Sequence, residues 1–163
     1  MEDFIKIFKS AKGDVYHITL SEEYGILSPE AIKTLGDVIL LGIDLRRLVG
    51  ENVTGHEVLS VIESTIAEYF LEHENVMICY YCDFINPIPR TSKNAMPPQE
   101  YRSRLFDKMF QRYTRLHGIN NVRLSVVEIN GIAEKYFFHL IFRETHTKLA
   151  ALIGSDLKDG FDK

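Results

Sequence analysis

The run Val76-Met77-Ile78-Cys79-Tyr80-Tyr81-Cys82 carries no charge and no alternation of apolar with polar residues. An apolar run this short, bounded by polar residues, reads as a strand buried on both faces, since a half-exposed strand would alternate with period two. A strand covered on both sides needs layers above and below it. The chain is long enough to supply them: 163 residues, 45% hydrophobic and 26% charged, fit one domain with a core that needs no disulfide or metal.

The flanking segments read in the same terms. Phe4 to Lys9 and Val15 to Leu20 are two strands around a Gly13-Asp14 turn. Ser28-Pro29-Glu30 opens a short helix, with Ser as cap and Pro at the first position, and Gly36 closes it. Asp37 to Leu45 follows as a buried strand. Thr54-Gly55-His56-Glu57 has the pattern of a capping box, and Val58, Leu59, Val61, Ile62, Ile66, Tyr69 and Phe70 recur behind it at helical spacing, predicting a helix over about 55–73. Residues 84–99 hold Pro87, Pro89, Pro97 and Pro98 among polar residues and read as an exposed loop. Leu105, Phe106, Met109, Phe110, Tyr113 and Leu116 form the apolar face of a helix from Glu100 to His117, stopped by Gly118. Val122 to Ile129 and Lys135 to Arg143 pair around Asn130-Gly131. Thr145 or Thr147 caps a last helix ending near Gly154, and the segment after Ser155, with 158–163 as a polar tail, reads as frayed. Helices at the two crossovers imply parallel pairing and hairpins at both ends imply antiparallel pairing. The expected fold is therefore α+β, one mixed sheet with helices packed on it, in a single domain over 1–157.

Several chemistries find no pattern. Cys79 and Cys82 sit three apart on one strand, where positions alternate faces, so they read as core residues rather than a metal or redox pair. The six histidines form no metal-binding pair, and no Ser nucleophile elbow, Walker loop or dinucleotide fingerprint occurs; no metal is expected. Two cysteines and an acid-bearing first segment without a long apolar run point to a reducing, cytoplasmic setting away from membranes.

Charge is distributed unevenly. Between Asn86 and Arg123, eight basic residues against two acids leave that segment at +6; with a whole-chain charge of −4, the remainder is at −10. Within it Arg104, Lys108, Arg112 and Arg115 fall on one helical stripe opposite the apolar face, a site for phosphate or an acidic partner or else an ordinary solvated face. The overall charge and the lack of a nucleic-acid motif make nucleic acid the weaker partner. Separately, Arg47, Gly50, Asn52, Thr54 and Gly55 lie where a strand runs through a glycine-containing turn into a helix N-terminus, a natural place for an anion, although Glu51 adds negative charge there and a plain strand-to-helix connection has the same pattern.

Two family resemblances follow from particular residues. Met77-Ile78-Cys79-Tyr80-Tyr81-Cys82-Asp83, Arg102-Ser103-Arg104-Leu105-Phe106-Asp107-Lys108-Met109-Phe110 and Phe138-His139-Leu140-Ile141-Phe142-Arg143 resemble a family of small uncharacterised bacterial proteins, a domain of unknown function that implies no activity. The element order, with Arg47-x-x-Gly50-x-Asn52 before the helix, resembles the GCN5-related N-acetyltransferase fold and its Gln/Arg-x-x-Gly-x-Gly/Ala pyrophosphate loop; Asn52 departs from the last position. Leu105-Phe106-Asp107-Lys108 stands where that family often has Leu-Tyr-Glu-Lys, and Phe106 has no proton to give in place of the tyrosine. This resemblance implies acetyl-CoA or another acyl-CoA as cofactor, held by the 50–55 turn with Arg47 nearby. Asp83, at the end of the central strand, either faces such a site as a catalytic candidate or caps the following loop.

Two functions are expected from these features: an acyl-CoA-binding protein or N-acyltransferase, or a non-enzymatic module that binds an acidic protein or nucleic acid through the basic helix and the proline-rich loop.

Overall fold

A computed structural model describes residues 2–52, 55–82, 97–131 and 135–161. Among them the elements follow in the order β1 (Phe4–Lys9), β2 (Val15–Glu22), α1 (Pro29–Leu35), β3 (Ile39–Val49), α2 (His56–Glu72), β4 (Val76–Cys82), α3 (Pro98–Leu116), β5 (Val122–Asn130), β6 (Lys135–Arg143), a one-turn 3-10 helix (Glu144–His146) and α4 (Thr147–Phe161). The strands form one sheet in the order β1-β2-β3-β4-β6-β5. β3 and β4 run parallel and the other neighbours are antiparallel, giving the α+β class with a single mixed sheet.

β4 is covered on both faces, as its composition requires. Ile78 points with Leu41, Ile18 and Ile141 into a core under α2 and α3. Met77 and Cys79 point with Leu40, Leu140 and Phe138 into a second core under α1 and α4. Met77 and Ile78 are both 0% exposed, so consecutive residues fill opposite cores, as strand alternation dictates. Cys79 is a free buried thiol. Cys82 lies on the same strand three residues on. Among the described residues no group of three or more His, Cys, Asp or Glu is placed to hold a metal ion.

Several boundaries differ from expectation, and three of them have a physical reason in the structure. β3 continues past Leu45 to Val49 because β2 pairs with it throughout, Tyr16 opposite Arg47 and Val15 opposite Val49. Main-chain pairing carries the strand through the charged Arg46-Arg47. α3 begins two residues early: Pro97 is its cap and Pro98 its first residue, where a fixed φ and a missing N–H cost nothing. The remainder of the proline-rich loop falls in 83–96, outside the described residues.

α4 does not stop near Gly154, and no frayed tail begins at Ser155. The helix reaches Phe161, taking in most of the segment read as a polar tail. Gly154 is a packing residue there. A Cβ on it would lie 3.2 Å from Val127 Cγ2, so glycine lets α4 press against the sheet. Two residues on, Asp156 accepts from the main-chain N–H of Ser28 at 3.0 Å and from its hydroxyl, tying α4 to the cap of α1. Leu157 is 0% exposed in the second core.

Candidate functional site

β3 and β4 part company halfway along. Their parallel ladder joins Ile39–Gly42 to Val76–Cys79 and then ends. β3 continues to Val49 beside β2, and β4 continues to Cys82 beside β6. Among the described residues no strand lies along the inner edge of β3 from Ile43 to Val49. The result is a wedge that opens towards the carboxyl ends of the two parallel strands, where α2 begins. That end of a parallel pair is where α/β sheets most readily leave a crevice.

The α2 and α3 side of this wedge is apolar. A cleft enclosing about 370 Å³ of empty space, part of it open to solvent, is lined by Ile43 and Leu45 of β3, Leu59 and Ile62 of α2, Tyr80 of β4 and Arg102, Leu105 and Phe106 of α3. A second cleft of about 540 Å³, again partly open, follows between the same helices, over Phe70, Met109, Phe110, Val122 and Ile141. Ile66, Phe106 and Met109 line both. Among the described residues Glu63 is the one acid on these walls. Burial raises its carboxyl above the ordinary range, opposed by Arg112 and His117.

The turn at 47–52 has a different character. Asp14, 2% exposed, lies at its centre. The Arg47 guanidinium is 3.9 Å from the Asp14 carboxylate and donates to the Asn52 carbonyl, while Asn52 Nδ2 donates to Asp14 Oδ1 at 3.2 Å. Gly50 has φ +99°, and a Cβ there would fall 1.5 Å from Asp14 Oδ1. The structure thus gathers Arg47, Gly50 and Asn52, as the sequence pattern suggested, but around a carboxylate of the protein itself. Gly55 is the N-cap of α2 and offers no side chain to its leading N–H groups. Thr54, and with it the expected capping box, lies outside the described residues, as does Asp83.

Arg104, Lys108, Arg112 and Arg115 are all exposed along α3, a cationic stripe as the spacing predicts. Arg104 pairs with Glu100 at 3.0 Å. Arg112 reaches across to α2, donating to Ser60 Oγ at 3.3 Å.

One pair escaped sequence reasoning. Ser103 of α3 and His139 of β6 meet with Oγ 2.8 Å from Nε2. His139 is 0% exposed, edge-on to Phe106, which itself stacks on Tyr80. Burial holds the imidazole pKa down at about 4, against a smaller opposing pull from Asp107, so it is neutral at pH 7. Its Nδ1 meets no hydrogen-bond partner among the described residues. An orphaned acceptor costs less than an orphaned N–H, which favours Nε2–H donating to Ser103. In that tautomer the histidine takes no proton from the serine, and the pair acts as a polar clamp between helix and sheet. Nothing local marks the two residues, which lie 36 apart in sequence.

Among the described residues no helix is long and apolar enough to cross a membrane. Compared with protein-family models, with curated proteins and with solved structures, the chain finds no match.

Proposed function

We propose that this protein binds an acyl thioester of the acyl-CoA type in the wedge between β3 and β4. The splay of the two strands carries this reading. A main-chain edge with no strand beside it among the described residues favours a ligand that can supply peptide-like hydrogen bonds, and the pantetheine arm has two amides in line. The apolar cleft at the mouth suits the carbon chain around the thioester. The N-terminus of α2, where Gly55 at the cap has no side chain to offer, and the cationic stripe of α3 supply positive potential for the phosphates. Arg47 and Asn52, engaged with Asp14, contribute less than the sequence pattern implies. Binding is better supported than transfer, because Phe106, at the position the acetyltransferase resemblance gives to a proton-donating tyrosine, carries no hydroxyl.

A second reading draws on the exposed stripe Arg104, Lys108, Arg112 and Arg115: a non-enzymatic module that docks an acidic protein. The two separate in a melting experiment. CoA or acetyl-CoA at 100 times its Kd should add about 2.7 kcal/mol and raise the Tm by about 5–11 °C. An unchanged Tm at millimolar ligand would overturn the acyl-CoA reading. An acidic polypeptide that raises the Tm, with the effect lost in Arg104→Glu/Arg112→Glu, would favour the module.

A further inference from the structure

The two clefts between α2 and α3 form one path. α2 and α3 each follow one of the parallel strands, so they run the same way across the sheet. The lining residues advance in step along both: Leu59, Ile62, Ile66 and Phe70 on α2, and Arg102, Phe106, Met109 and Tyr113 on α3. From Leu59 to Phe70 the helical rise covers about 16 Å. The path begins at the wedge mouth and runs away from it beneath the two helices. Its floor is the sheet, at Val122 and Ile141.

An acetyl group would occupy only the first part of such a path. An acidic polypeptide, the occupant that the cationic stripe alone would suggest, would gain nothing from walls of Ile, Phe and Met. A thin, unbranched, apolar chain entering at the wedge satisfies both the shape and the chemistry. Met109, at the junction, is a side chain that adapts to chains of different length. Arg112, which bridges the two helices by its hydrogen bond to Ser60, matches an amphiphile whose polar end is anionic and whose tail is buried.

We propose that the path between α2 and α3 holds an extended aliphatic acyl chain, so that the ligand class is medium- to long-chain acyl thioesters rather than acetyl thioesters. This rests on the acyl-CoA reading for the position of the thioester at the wedge mouth.

The test is a titration of the full chain with CoA, acetyl-CoA, butanoyl-CoA, octanoyl-CoA and dodecanoyl-CoA below their micellar concentrations, with dodecanoate as the carrier-free control. Burial of each CH₂ should lower Kd by about 2- to 4-fold, so octanoyl-CoA, six CH₂ groups longer, should bind about 100-fold or more tightly than acetyl-CoA. Ala67 lines the second cleft, just beyond the junction at Ile66. Ala67→Phe should weaken dodecanoyl-CoA at least about 30-fold more than acetyl-CoA; if that variant fails to fold, the smaller Ala67→Leu should show the same direction. Equal affinities for all chain lengths, with CoA itself bound, would overturn the acyl-chain path and leave the wedge reading intact. Dodecanoate binding as tightly as dodecanoyl-CoA, with no affinity for CoA, would support the path and overturn the wedge reading. No binding by any of these ligands would overturn both.

Discussion

The turn at 47–52 and the path between α2 and α3 differ in what fills them. The turn is polar and already occupied: Asp14 takes up Arg47 and Asn52 and leaves Gly50 no room for a side chain. The path is apolar and open, and Glu63 is the only acid among the described residues that line it. A pattern of Arg, Gly and Asn before a helix suggests an anion site, and here the anion is part of the fold. The more permissive space is the one with no polar signature. Residues that look functional can be engaged in structure, while a ligand site can be assembled from side chains that look like ordinary core.

The largest effect that would break this contrast is at Gly50. With φ +99° and Asp14 in contact, Gly50→Val should cost about 4 kcal/mol, combining backbone strain with overpacking. Denaturant unfolding would show it. A loss below about 1 kcal/mol would mean that the turn yields easily and is free to open for a ligand.

Next comes the dryness of the core beside the path. His139 has a pKa of about 4 when folded, against 6.5 when exposed. Between these values the unfolded chain holds the extra proton, so stability is complete above about pH 6.5 and falls as the pH falls towards 4, by about 3 kcal/mol. Unfolding at pH 7 and pH 4.5 would measure most of this, and His139→Gln should flatten the profile. A profile unchanged by that variant would mean that water reaches the imidazole.

Asp14→Asn sharpens the comparison from the polar side. Loss of the buried charge should cost about 2 kcal/mol and release Arg47, so inorganic phosphate should protect the variant more than the parent in a melt. Equal protection would show that the turn is no latent anion site. The smallest effect is expected at the rim. Arg104 pairs with Glu100 one turn away on an exposed surface, so Arg104→Ala should change stability by less than about 0.5 kcal/mol.

Much of the architecture was legible in the sequence because it is written in local patterns. The charge-free run at 76–82 announced a central strand, Ser28-Pro29 announced a helix start, and two apolar stripes announced α2 and α3. What was not legible depended on contacts distant in the chain. Gly154 reads as punctuation, but here it is the point where α4 meets Val127. Arg46-Arg47 reads as the end of a strand, whereas pairing with β2 carries the strand through. Asp14 reads as a turn residue and is a buried acceptor for groups 33 and 38 positions away. The wedge is the least legible feature, because it arises from where pairing stops and no residue type marks that point.

The most direct test of the wedge is amide exchange along the inner edge of β3, measured residue by residue by NMR with and without saturating dodecanoyl-CoA. Protection should rise at those amides of Ile43–Val49 that do not bond to β2, while amides paired across β5 and β6 stay unchanged. Ligand binding that leaves the exchange of Ile43–Val49 untouched would contradict the account and place the ligand elsewhere.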